Sequence, residues 1–130
     1  MSANNKILDH AIDTIDDIKD HADVYGADLH NELFNTDYFI IGRYEADKWL
    51  KDNVDGGVYD AIYDIKEYEE NNFGEVTTDF SEPERVTNMY VYIKGEELLN
   101  ESDALNKAWD RKLTEKDFDA IRSDLKNLYD

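Results

Sequence analysis

Ile7, Leu8, Ala11, Ile12, Ile15, Ile18 and Ala22 recur with the 3.6-residue period of an amphipathic helix and predict one over residues 5–23. After Gly26 a short helical segment around residues 28–34 leads to Asn35-Thr36-Asp37, a cap for a third helix carrying Ile40, Ile41, Tyr44, Trp49 and Leu50. Asp55-Gly56-Gly57 ends that helix, and a fourth runs from Val58 to about Asn72 with Val58, Ala61, Ile62, Ile65 and Tyr68 inside. The segment Phe73 to Phe80 breaks the period and predicts a short strand or an extended stretch near 74–80. Ser81-Glu82-Pro83-Glu84 reads as a capping box with Pro in the first turn, opening a helix whose inner stripe is Val86, Met89, Tyr90 and Ile93. Gly95 is expected to end or weaken it. Two last amphipathic segments start at Ser102 and Thr114, with Leu105 and Trp109, then Phe118, Ile121, Leu125 and Leu128. The pattern therefore predicts a mainly α fold, a single-domain bundle over residues 1–130 built of five to seven amphipathic helices. One Pro and six Gly leave no linker to divide it.

The polar positions change the picture more than the apolar ones do. The outer face of the first segment is Asp9, Asp13, Asp16, Asp17, Asp20 and Asp23, relieved by Lys19 alone, and the fourth segment repeats the design with Asp60, Asp64, Glu67, Glu69 and Glu70 around Lys66. Like charges at i,i+3 and i,i+4 each cost a few tenths of a kcal/mol, and Asp is a mediocre helix former. A sequence selected for stability alone would avoid both. The chain holds 32 acids against 14 bases, a net charge of −18. Residues 9–84 contain twenty-two of those acids and five bases, whereas residues 91–130 contain ten and seven. A compact chain of this length has a radius of gyration near ~14 Å, so its net charge amounts to one per ~2 Å of span, against one per ~1.7 Å of axis in duplex DNA. Carboxylates on one helix face step by about 5 to 6 Å. The candidate partner-binding residues are Asp13, Asp16, Asp17, Asp20, Asp23, Asp28, Glu32, Asp60, Asp64, Glu67, Glu69 and Glu70. For any one of them taken singly, a plain solvated helix face is the competing reading.

Other chemistry finds little support. With 41% apolar residues and two Trp, nine Tyr and five Phe, the chain can close a core and is no disordered acidic tail. The absence of Cys removes disulfides, thiolate zinc sites and thiol nucleophiles, and the N-terminal residues lack a signal-peptide apolar run, so a cytoplasmic location is expected. No stretch predicts a membrane span. Asp52-Asn53-Val54-Asp55-Gly56-Gly57 resembles a calcium loop, yet with Gly57 in the turn position the third, fifth and twelfth ligand places fall on Val54, Gly56 and Tyr63. His10, His21 and His30 form no His-x-x-x-His pair and are read as structural or solvent-facing, so no metal or other cofactor is expected. Glu67 and Glu70 match half of the carboxylate pattern of a magnesium-dependent, all-helical nucleotide pyrophosphatase, but no Glu-x-x-Asp completes it. No enzyme is expected. The Tyr series 59, 63, 68, 90 and 92 is read as half-buried packing, and direct nucleic-acid binding is excluded because no basic groove accompanies those rings.

At Asp28-Leu29-His30, preceded by an acidic helix and followed by a Tyr-containing helix at 38–50, the chain resembles the small anti-restriction proteins of bacteriophages, the overcome-restriction type of T7-like phages. The literal match is confined to those residues and the layout of the first half. Two further blocks, Phe34 to Gly42 and Asn88 to Leu99, are similar to other phage proteins. The resemblance implies a very acidic, mostly helical protein that imitates bent B-form DNA and blocks type I restriction and modification enzymes. Here a charge-mixed helical end replaces that family's acidic tail, and Gly74 to Phe80 has no counterpart in it. The acidic rows therefore carry over as a type, while a homodimer stays open. The expected partner is a basic DNA-binding protein inside a bacterial host cell, a restriction or modification enzyme. A CRISPR nuclease, a DNA repair enzyme such as a uracil-DNA glycosylase, or a histone-like protein fits the same surface. The competing expectation is an acidic regulatory or antitoxin-like phage protein that binds a basic partner unrelated to DNA.

Overall fold

α5 (Pro83–Leu99) is the axis on which the molecule is built, flanked by α1 (Ala3–Ile18), α2 (Leu29–Phe34), α3 (Arg43–Asn53) and α4 (Gly57–Phe73). α6 (Asp103–Lys107) and α7 (Glu115–Lys126) pack on each other, and α7 closes against α1. The computed structural model describes residues 3–20, 23–34 and 43–129, and within the first turn of α3 the side chain of Ala46 only. Among these residues the fold is all-α, with seven helices, a 3₁₀ turn at Gly26–Asp28 and no strand. The predicted cap at Asn35-Thr36-Asp37 and the positions Ile40 and Ile41 lie outside the described residues.

Two apolar clusters meet at α5. One gathers Ile7, Leu8, Ile12 and Ile15 of α1 with Leu29, Leu33, Val91, Leu99, Phe118, Ile121 and Leu125. The other gathers Leu50, Val54, Ala61, Ile65, Val86, Tyr90 and Ile93 with Ala3 at the start of α1. Trp49 packs against both. Burying this stripe of branched side chains, each stabilising by about 1.5–3 kcal/mol, is what offsets the repulsion along the acidic faces.

Three element boundaries differ from the sequence expectation. α1 stops at Ile18 rather than 23 because the chain beyond turns to pair with the segment before α7. Gly26 N–H donates to Arg111 O (3.1 Å), Ala27 N–H to Trp109 O (2.9 Å) and Leu113 N–H to Val24 O (2.8 Å), with Tyr25 and Lys112 forming an isolated antiparallel bridge. Gly26 is required there, since a Cβ would stand 2.3 Å from the Ala108 carbonyl oxygen. The capping box at Ser81 does not form. Asp79 takes both the Ser81 N–H (3.0 Å) and its hydroxyl (2.6 Å), so the helix begins one residue later, at Pro83 after Glu82. Glu84 falls at the second rather than the third helical position, and its Oε2 is buried without a hydrogen-bond partner. Finally, Gly95 neither ends nor breaks α5; it is buried, and the Phe34 ring lies where a Cβ would be, 2.5 Å away.

Trp109, expected on the helix that starts at Ser102, lies beyond its end at Lys107 and is exposed. Ser102 and Thr114 cap α6 and α7, the second in a reciprocal box with Asp117. Residues 76–79 take no regular secondary structure and form no strand.

Candidate partner-binding surface

α4 starts where Gly56 and Gly57 take positive φ values of 83° and 64°, ending α3 and letting the chain reverse. The Asp60 carboxylate folds back over Gly56, so close that a Cβ there would meet its Oδ2 at 2.0 Å. That places a negative group at the positive end of the helix dipole. Ala61, Ile65 and Glu69 face inward at intervals of four, and the opposite face presents Tyr59, Asp60, Tyr63, Glu67 and Glu70.

Beside this helix lie two depressions. The larger, of about 760 Å³, is lined by Asp52, Asp55, Asp60 and Asp64 together with Lys51, Tyr63, Tyr90 and the start of α1. The second, of about 350 Å³, runs between α4 and α5 and is lined by Asp64, Glu67, Tyr68, Asn71, Lys94 and Glu97. Asp64 belongs to both, so the two depressions adjoin and Asp52, Asp55, Asp60, Asp64, Glu67 and Glu97 form one acidic band, interrupted by Lys51 and Lys94. Its α4 members, from Asp60 to Glu67, span about 10 Å at ~1.5 Å per residue. Lys94 is drawn into the band. Its Nζ lies 3.2 Å from Asp64, 3.6 Å from Glu97 and 5.6 Å from the Tyr90 ring centroid. Burial works against its charge, but the two carboxylates outweigh that and hold its pKa above the ordinary lysine value. Asp52 pairs with Lys48 at 3.9 Å on the exposed surface, and Asp55, Asp60 and Glu67 carry no ion pair with any described residue.

The α1 row is arranged differently. Asp13 and Asp17 are exposed on the helix, but Asp16 accepts Arg122 Nε at 2.9 Å and Asp9 accepts the Tyr129 hydroxyl at 2.7 Å. Partial burial and that bond to Asp9 push the Tyr129 phenol up to about 12. Asp20 lies in the turn after the helix, and Asp23 lies in the extended segment, paired with Lys112 at 2.6 Å. The expectation that both continue the α1 row is therefore corrected, because the helix ends before them. Asp28 is exposed in the 3₁₀ turn and Glu32 is half-exposed on α2. Ala3 and Asn4 are the described α1 residues lining the larger depression. The α1 carboxylates begin at Asp9, about 9 Å further along that helix.

Glu69 is the clearest correction. It is fully buried and cannot meet a partner: its Oε2 accepts the Thr77 N–H (2.9 Å) and hydroxyl (2.5 Å), and its Oε1 the Thr78 N–H (3.2 Å). It ties the segment after α4 back to that helix. The spacing 61, 65, 69 carried that signal, since a residue four beyond Ile65 lies on the inner face. The tyrosines divide. Tyr90 is buried and Tyr68 donates to Glu96 at 2.7 Å, as packing residues do, whereas Tyr59 and Tyr63 are 82% and 67% exposed. Both described histidines are structural: His10 Nε2 meets Leu33 O at 2.7 Å and His30 Nε2 meets Tyr92 O at 2.9 Å. Burial holds both pKa values below the ordinary one. His21 lies outside the described residues. No group of three or more His, Asp or Glu among the described residues is arranged to hold a metal ion, and no described helix is long and apolar enough to cross a membrane. Comparison with protein-family models, curated proteins and solved structures gives no match.

Proposed function

We propose that this protein imitates the charge of DNA and occupies the basic DNA-binding channel of a restriction or modification enzyme, or of another DNA-acting host-defence enzyme. The acidic band along α4 carries the reading. Of the C-terminal bases, Arg122 and Lys112 pair with Asp16 and Asp23 away from the band and Lys94 pairs with Asp64 and Glu97 within it, which leaves Asp55, Asp60 and Glu67 unpaired among the described residues. Lys and Arg side chains placed to neutralise phosphate engage such a band without the cost of bending a duplex. Inhibition is then competitive, fast in onset and weakened by salt, with no catalysis. The protein would act in the bacterial cytoplasm, where such enzymes work.

The test is displacement. A labelled sample bound to a type I restriction–modification enzyme should be released by added duplex. The combined change Asp55→Asn, Asp60→Asn, Glu67→Gln and Glu70→Gln should weaken the complex at least about tenfold at low salt, since exposed ion pairs each contribute ~0.2–1 kcal/mol. A complex indifferent to duplex would instead favour a basic partner unrelated to DNA.

A further inference from the structure

Tyr59 and Tyr63 are large aromatic side chains left 82% and 67% exposed in the middle of an acidic helix face. They stand one turn apart on α4, and Glu67 and Glu70 continue the same face at i+4 and i+7 from Tyr63. Lys66, the base of that face, leans away, its Nζ 5.5 Å from the Phe80 ring centroid. We infer that this face reads arginine: the partner surface that meets α4 presents guanidinium groups that stack on Tyr59 and Tyr63 while their N–H forks engage the neighbouring carboxylates. This rests on the band being a partner-binding surface, as proposed above, but not on the partner being a DNA-binding enzyme.

The molecule contains a small version of the arrangement. Lys94 sits over the Tyr90 ring with Asp64 of α4 and Glu97 of α5 as counter-charges, so a cation, a tyrosine face and carboxylates are already combined beside Tyr63, which lines the same depression as Asp64 and Tyr90. At Tyr59 and Tyr63 the ring and the carboxylates are present and the cation is left to come from outside. Charge complementarity makes that occupant basic. A second copy of this chain would set Asp60, Glu67 and Glu70 against their own kind. Between the two basic side chains the geometry favours arginine. Its guanidinium is planar and weakly hydrated, so it stacks and forks at once, whereas an ammonium is a strongly hydrated point charge that gains little from an exposed ring.

The experiment compares octa-arginine with octa-lysine by calorimetry at 50 and 150 mM NaCl. Wild type should bind octa-arginine at least about fivefold more tightly. Tyr59→Gln with Tyr63→Gln should bring the ratio near one by weakening the arginine peptide, and Tyr59→Phe with Tyr63→Phe should preserve it. Glu67→Gln with Glu70→Gln should weaken both peptides and lower the ratio only in part, because the fork loses its acceptors while the rings remain. Far-UV circular dichroism checks that each variant stays helical. Equal affinities in wild type, a ratio that survives loss of both rings, or a wild-type dimer abolished by the Gln pair would each overturn the inference. These outcomes are separable from failure of the DNA-mimic reading. That reading is judged by duplex displacement, which stands if the peptides bind equally and can fail while the arginine preference holds.

Discussion

Glu67 and Glu69 stand two residues apart on one helix and do opposite work. Glu69 is enclosed and accepts hydrogen bonds from Thr77 and Thr78, whereas Glu67 is exposed to the depression between α4 and α5. Changing Glu69 to Gln replaces a charged acceptor by a neutral one and should lower stability by about 1–3 kcal/mol while leaving partner affinity unchanged. Glu67→Gln should do the reverse, weakening the partner and leaving stability within a few tenths of a kcal/mol. Urea denaturation beside a binding titration decides it; a Glu69→Gln variant that binds poorly but melts normally would contradict the assignment. The same residue predicts an acid response. Burial raises the Glu69 pKa and its hydrogen bonds lower it by more, so the folded value lies below the ordinary 4.5. Its contribution is present in full above that value and is lost as the pH falls through the folded one. Unfolding free energy measured from pH 7 down to pH 3 should therefore fall less steeply in Glu69→Gln than in wild type. At this scale the sequence is half legible. It marks Glu67, Glu69 and Glu70 alike as acids on a helix, and the spacing from Ala61 and Ile65 is what separates one from the others. Nothing in the spacing distinguishes the exposed Tyr59 and Tyr63 from the packed Tyr68, because exposure depends on where α5 crosses.

Element ends show what local pattern can and cannot determine. Ser102 and Thr114 cap the helices that follow them, as their residue types predict, and Thr114 does so in a box completed by Asp117 with Arg111 bound to the same carboxylate. Ser81 carries the same signature but is diverted to Asp79, two residues away. Thr114→Ala should accordingly cost about 1 kcal/mol, and Ser81→Ala only a few tenths, a comparison that thermal unfolding can make directly. Equal losses would mean that Ser81 caps α5 after all. Gly95 tests the converse case, a residue whose local meaning is overruled by packing. Alanine is the better helix former by ~1 kcal/mol, yet a Cβ would collide with the Phe34 ring. Overpacking of this kind typically costs about 1–3 kcal/mol, so Gly95→Ala should be net destabilising; a raised melting temperature would show that α2 can shift aside. The early end of α1 was not readable for a related reason. Gly26 and Ala27 donate backbone hydrogen bonds to Arg111 and Trp109, and Val24 accepts one from Leu113, all more than eighty positions away, and no window of local sequence contains those partners.

For the molecule as a whole, the surplus of negative charge was legible from composition, but its deployment was not. Asp16 finds Arg122 across 106 residues of chain, Asp23 finds Lys112 and Asp64 finds Lys94, so the charge-mixed C-terminal part relieves one carboxylate on each acidic helix and leaves Asp13, Asp17, Asp60 and Glu67 without an ion pair among the described residues. A net charge of −18 held by helices that repel one another implies two salt responses of opposite sign. Screening relieves the repulsion within the fold, so raising NaCl from 20 to 500 mM should raise the melting temperature by about 4 °C. The same salt should weaken the complex with a basic channel, but less steeply than it weakens duplex DNA in that channel. An α4 row steps one carboxylate every ~5–6 Å, whereas a duplex carries one charge per ~1.7 Å and releases condensed counterions when bound. With fewer counterions to release, the protein should lose less affinity per decade of salt. Its advantage over duplex should therefore grow between 50 and 200 mM NaCl, and a competition titration at the two concentrations measures that ratio. If the duplex gains on the protein as salt rises, the complex is not held by this band in the manner of phosphates, and the imitation of DNA fails as an account of the charge.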